Sequence, residues 1–210
     1  MTTLKISTFP MLPTALITLL LTACAGAPPV PEEHFYRLPG VDSAISPPQP
    51  LFSGTLAIGS IDTPGIYNER ALLHSDESSP TQLQRYHYHS WTDSPPRLIQ
   101  DHLTLSLRHA NAAPIVIPDN ARSQWQYLLK GKLRRFERIT GNTTTKVIIA
   151  MEFQLLRQGE NRPLLIKDYI ITEPAAGDTI DDTVVAFSNG LLRLYKQLLH
   201  ELRQVNTDNR

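Results

Sequence analysis

Apolar and polar positions alternate over Gln124 to Ile139 and again over Lys146 to Leu156, and Thr140-Gly141-Asn142-Thr143 separates the two runs as a turn, so this stretch predicts a β-hairpin. On the first arm Trp125, Tyr127, Leu129 and Leu133 share one side; on the second, Val147, Ile149, Met151, Phe153 and Leu155 make a matching apolar face. Gln158-Gly159-Glu160-Asn161 then turns the chain into Leu164 to Thr172, which makes three strands of an antiparallel meander. Strand patterning also occurs at His34–Leu38, Thr55–Ile61, Ala71–His74, Leu83–Trp91 and Ile115–Ile117. If the fourth of these is regular, Leu83, Arg85, His87 and His89 face one way and Gln84, Tyr86, Tyr88 and Ser90 the other.

Helical spacing replaces alternation twice. Asp93 or Ser94 stands where an N-cap belongs, Pro95 suits the first turn, and Leu98, Ile99, Leu103, Leu107 and Ala110 recur on one side, which predicts a helix ending near Asn111. A second helix is predicted from Thr179 to about Gln204. Its cap pairs Thr179 with Asp182 in capping-box spacing, with Asp181 favoured at the positive helix end. Val184, Phe187, Leu191, Leu194, Leu198 and Leu202 form its apolar stripe, widened by Val185, Leu192, Tyr195 and Leu199, and a stripe this wide covers a sheet. The expected fold is a single α+β domain, an antiparallel meander sheet packed by two long helices.

The first 23 residues follow neither pattern. Lys5 and the amino terminus supply positive charge, Met11 to Ala23 supply a short apolar run interrupted by Pro13, and Leu21-Thr22-Ala23-Cys24 closes it as a lipoprotein cleavage site does. The run is too short to span a bilayer, which needs about 20 apolar residues. Cleavage before Cys24 would free a thiol and an amino group for acylation, giving the two or more chains that stable anchoring needs. Cys24 is the only cysteine, so it is the expected lipidation site, and no disulfide follows it. Ala25 to Pro31 is small and proline-rich; about ten residues of such chain reach roughly 30 Å when extended. The expected organisation is a signal peptide over 1–23, a lipid-anchored tether over 24–33, a folded domain over 34–205 and a flexible tail over 206–210.

With 20 basic and 20 acidic residues the formal charge is zero, and general nucleic-acid binding is not expected. A hydrophobic content of 41% is enough for a substantial core. Gly-x-Gly-x-x-Gly, Walker and Gly-x-Ser-x-Gly sequences are missing, and lipidation would consume the cysteine, so no catalytic residue is assigned. His87 and His89 would project alike from a regular strand, but two imidazoles do not define a metal site, and none is assigned; no cofactor is expected beyond the covalent lipid on Cys24. Lys130, Lys132 and Arg134 alternate opposite the apolar side of the hairpin. They are candidate contacts for anionic lipid or an acidic partner, set against their role as the solvated face of a one-sided sheet.

The order of segments resembles the ABC-type transport auxiliary lipoproteins, which include the paraquat-inducible protein C-like lipoproteins. The resemblance rests on the lipobox, on Phe35-Tyr36-Arg37-Leu38-Pro39, and on the run from Leu56 through Gly65 to Arg70. Its strongest piece is Tyr86-His87-Tyr88-His89-Ser90-Trp91-Thr92-Asp93-Ser94-Pro95-Pro96, similar to that family's aromatic strand, tryptophan and helix start. The family pattern often has an acidic residue and a single proline or leucine after the tryptophan, so Asp93-Ser94-Pro95-Pro96 departs from it at the helix start. The resemblance implies a non-enzymatic, periplasm-facing component of a lipid transport system, tethered to the outer membrane. Its implied partners are a mammalian-cell-entry domain protein and an inner-membrane ATPase and permease, with self-association left open. Ala25 after the cysteine fits outer-membrane sorting in enterobacterial-type systems. Trp91, Tyr86 and Tyr88 are the candidate partner contacts, with the alternative for Trp91 that it packs between the strand and helix it separates. The competing function is an envelope scaffold or outer-membrane assembly lipoprotein; a periplasmic hydrolase with scattered catalytic residues is a third.

Overall fold

A computed structural model describes residues 31–40, 48–119, 124–141 and 144–208. The leader and Cys24 therefore lie outside the described residues, as does the centre of the hairpin turn. Within Glu33–Arg210, which form one unit, the order is β1 (His34–Tyr36), β2 (Thr55–Asp62), a 3₁₀ turn at Gly65–Asn68, β3 (Ala71–Asp76), β4 (Ser79–Trp91), α1 (Pro95–His109), β5 (Ile115–Pro118), β6 (Tyr127–Thr140), β7 (Thr145–Arg157), β8 (Leu165–Pro174) and α2 (Ile180–Asp208). Both predicted helices and every predicted strand are present. α2 continues to Asp208, so the segment expected as a tail begins as helix.

The sheet is mixed, which corrects the expectation of a purely antiparallel meander. β6, β7 and β8 do form that meander, with β6 and β7 in register from Tyr127↔Arg157 to Thr140↔Thr145. On its other edge, however, β6 pairs in parallel with two strands in turn: β2 along Tyr127 to Lys132 and β3 along Arg138 to Thr140. β5 adds to β2 and β1 to β4, both in parallel. The interval between β2 and β3 is crossed by the chain at Thr63, whose hydroxyl donates to the Leu133 carbonyl at 3.0 Å. A bulge between Leu133 and Arg135 reverses the facing of β6 there, so that Phe136 and Arg138 follow Leu129 and Leu133 onto the helix side.

Both helices lie on one face. Ile99, Leu103 and Leu107 of α1 and the stripe Val184 to Leu202 of α2 are buried against Leu129, Leu133, Val147, Ile149, Met151 and Phe153. Val185 is 49% exposed and does not belong to the packed stripe. Gly190 sets how closely α2 approaches the sheet, since a Cβ there would stand 2.9 Å from Ile149 Cδ1. The predicted capping box forms: Thr179 Oγ1 accepts from the Asp182 amide at 3.1 Å, and Asp182 accepts from the Thr179 hydroxyl at 2.6 Å. Ser94 caps α1 by position but makes no side-chain cap bond, and Pro95 and Pro96 have no N–H to be satisfied.

Candidate interaction surface

β3 and β4 pair irregularly, and this decides where the aromatic strand points. Ala71 is opposite Ser90, yet Leu73 is opposite Arg85, so β4 carries extra residues between Arg85 and Ser90. The regular alternation expected for Leu83 to Trp91 is lost in that bulge. Instead Tyr86 and His89 turn partly inward while His87 and Tyr88 are exposed, so the two histidines do not project together. His89 stacks on His34 with ring centroids 5.2 Å apart, and its Nδ1 lies 2.9 Å from the Tyr36 hydroxyl. Tyr86 packs on His74 at 4.3 Å and edge-on to His89 at 5.6 Å.

Under this layer sits Arg138, 6% exposed. Its Nη1 donates to the Tyr86 hydroxyl and its Nη2 to the Asp178 carbonyl, both at 2.6 Å, and its guanidinium lies 5.9 Å from the Tyr86 ring centre. One buried cation thus ties β4 and β6 to the entry of α2. Burial, with Arg138 second, holds His74 below the ordinary imidazole pKa; burial, then His34 and Arg138, does the same for His89 against the opposing pull of Asp181. Their rings join β1, β3 and β4, His74 through Tyr86 and His89 through His34 and Tyr36.

Trp91 is 1% exposed, with Phe136 and Phe187 each 5.5 Å from it between ring centroids. It is buried, as the packing alternative has it, but its aromatic neighbours stand on β6 and α2 rather than on α1, the helix that follows it in sequence; a side chain sealed from solvent offers no area to a partner. Tyr86 is half-buried and Tyr88 is 42% exposed, so Tyr88 keeps the most contact area of the three candidates. Phe35, next in line on β1, is 54% exposed beneath the Arg70 guanidinium. The sequence reading overlooked Phe35 as a surface residue and Arg138 as a buried one; the parity change at the β6 bulge hid the second.

Lys130, Lys132 and Arg134 occupy the face without helices, as expected for a one-sided sheet. Cross-strand register adds acids the sequence could not place: Glu152 is opposite Lys132, and Asp168 opposite Glu152. Arg134 bonds Glu152 and stands 3.6 Å from Asp168, and Asp62 and Glu152 share a shallow groove with Lys130 and Lys132. Acids therefore stand among these cations, with Arg134 the one of the three that is ion-paired among the described residues.

Among the described residues no helix is long and apolar enough to cross a membrane, and no three His, Cys, Asp or Glu side chains gather as a metal site. A family profile described as ABC-type transport auxiliary lipoprotein component matches residues 36–198. The chain belongs to this family. The match includes β2 through most of α2 and the whole aromatic strand, and it gives the auxiliary lipoprotein a place in the cell envelope. No curated protein matches the chain. Among solved structures, a Xanthomonas campestris protein of the family DUF330 is similar with a TM-score of 0.72 and 18% identity, covering 83% of this chain and 97% of its own. An uncharacterized protein reaches 0.65 at 14% identity over 82% of this chain and 99% of its own. A hypothetical protein from Chlamydia trachomatis reaches 0.50 at 8% identity over 74% and 98%. At these identities the likeness is one of fold.

Proposed function

We propose that this auxiliary lipoprotein is anchored to the outer membrane through lipid on Cys24 and serves, without catalysis of its own, a lipid transport system of the ABC and mammalian-cell-entry type between the two membranes. The observation that carries the proposal is the family match, which spans nearly the whole described domain and begins shortly after Cys24. The anchor sets the domain within a tether's reach of the membrane, and the domain docks a periplasmic transport protein. The surface supports that role: His34, Tyr36 and His89 join β1 to β4, leaving Tyr88 and Phe35 as exposed aromatic area for a partner.

The test has two arms in the native host. Mass spectrometry of the mature amino terminus is expected to show acylated Cys24, and Cys24→Ser to release or mislocalise the chain. Capture from membranes under conditions that preserve complexes is expected to recover a mammalian-cell-entry or ABC transport component. An intact leader with unmodified Cys24 would overturn the anchor, recovery of neither component the adaptor role, and ATP turnover by the purified chain the passive role.

A further inference from the structure

The sheet ends at β8, a strand of ten residues that pairs only with β7 among the described strands. Its other edge faces a groove of about 450 Å³ beside α2, walled by Lys167 to Ile170 on the strand, Asp168 included, and by Lys196, Gln197, His200 and Glu201 on the helix. In an antiparallel pair the N–H and C=O of one residue point to the same side, and alternate residues point oppositely. Arg193 Nη2 donates to the Thr172 carbonyl at 3.3 Å from the α2 side. Thr172 therefore faces outward, and so by alternation do the backbone groups of Ile170, Asp168 and Ile166. Arg193, also bonded to Glu173 at 2.5 Å, closes the far end of the edge and leaves Ile166 to Ile170 open.

The side chains around that open stretch are unlike on its two sides. On the face without helices, Ile166 is 58% and Ile170 74% exposed, the latter the largest exposure among the described large apolar residues. Asp168 stands between them on that face, 70% exposed and 3.6 Å from Arg134, so the edge carries one charge flanked by two exposed isoleucines where edge strands are ordinarily blunted by charge, proline or a bulge. The groove's lining carries two charges of each sign, Lys167 and Lys196 against Asp168 and Glu201. Glu201 is engaged by Lys167 at 3.2 Å and Asp168 by Arg134 at 3.6 Å, which leaves Lys196 as the groove's cation, with Arg203 two turns on along the exposed side of α2. Tyr169 is 5% exposed, and its hydroxyl is buried with no hydrogen-bond partner at the groove wall. Burial and the nearby Glu201 push its pKa up to about 12, so it is a fixed donor.

We propose that the Ile166–Ile170 edge accepts an extended segment of a partner protein as a ninth strand, with acidic side chains entering the groove toward Lys196 and apolar side chains covering Ile166 and Ile170 in alternation. Main-chain hydrogen bonds supply affinity and the alternating side chains supply selectivity, the two elements of strand-addition recognition. The surface is independent of the Cys24 anchor, so a failed lipidation reading leaves it standing.

The full lipid-anchored chain in detergent is titrated by fluorescence anisotropy with a labelled eight-residue peptide of alternating Glu and Val, its Lys/Val counterpart, and the Glu/Val peptide N-methylated at every second residue. The Glu/Val peptide is expected to bind. The Lys/Val and N-methylated peptides are expected to bind at least about tenfold more weakly, as is the Glu/Val peptide to Lys196→Glu, a solvent-exposed change that spares the core. Failure of the Glu/Val peptide to bind, equal binding of the three peptides, or indifference to Lys196→Glu would overturn the proposal. So would sedimentation showing a dimer that the peptide dissociates, because a second copy would then occupy the edge.

Discussion

β6 separates two halves of one sheet that treat polar side chains differently. Toward β7 and β8 the pairing is antiparallel and interrupted only at the Leu133–Arg135 bulge, the side without helices is open to solvent, and Arg134, Glu152 and Asp168 meet across strands. Toward β3, β4 and β1 the pairing is parallel or bulged, and polar groups are drawn under cover: Arg138 is held by Tyr86 and Asp178, and Tyr67 donates to the nearly buried Glu137 at 2.5 Å. Exposed ion pairs exchange water for a partner at little net gain, whereas a covered guanidinium that loses a partner keeps its desolvation cost. The irregular half should therefore be the more sensitive to single polar changes, and the regular half should depend on its apolar face.

The largest effect is expected from that apolar face. Leu191 is fully buried on α2, so Leu191→Asp puts a carboxylate where no partner or water reaches and should cost on the order of 4 kcal/mol or more. Chemical denaturation of the purified domain measures it; a midpoint close to that of the unaltered protein would mean that α2 does not close the core. Tyr86→Phe comes next and probes the irregular half. The ring remains over Arg138 while the acceptor for Nη1 is lost, and a loss of about 2 kcal/mol is expected, the range for bonds to charged groups. An unchanged stability would show that water replaces the phenol and that this half is no more tightly bound than the other.

The same contrast explains how much of the molecule was legible. The meander, the α2 stripe and the Thr179–Asp182 capping box depend on neighbours close in sequence, and alternation or helical spacing records them directly. The parallel pairings β2–β6 and β3–β6 join residues about seventy apart, and nothing local in Ala71 to His74 announces β6 as its partner. The facing of Tyr86 and His89 failed for a related reason, since a bulge resets alternation and is fixed by what lies across the strand. Trp91 was legible as a side chain that packs, but not as one enclosed by Phe136 and Phe187, which come from the far side of the β6 bulge and from α2. Lys130, Lys132 and Arg134 were legible as a polar face, while the pairing of Arg134 with Glu152 and Asp168 required the register.

Arg134→Ala should have the smallest effect, and its signature is a titration rather than a loss of fold. Glu152 is held below the ordinary carboxylate pKa first by the hydrogen bond from Gln154, 2.7 Å away, and then by Arg134, with Lys132 contributing less. A carboxyl whose pKa falls on folding contributes stability that is present above its unfolded value and is lost as the pH drops through the folded one. Removing Arg134 leaves the Gln154 bond in place. The Glu152 pKa should therefore rise only part of the way toward its ordinary value, and stability near neutrality should stay almost unchanged because the guanidinium is exposed and screened. Carboxyl-carbon NMR titration of the two proteins reads the shift directly. A full return of Glu152 to the ordinary range, or a clear fall in stability at neutral pH, would show that the open lattice is as strongly coupled as the covered network around Arg138.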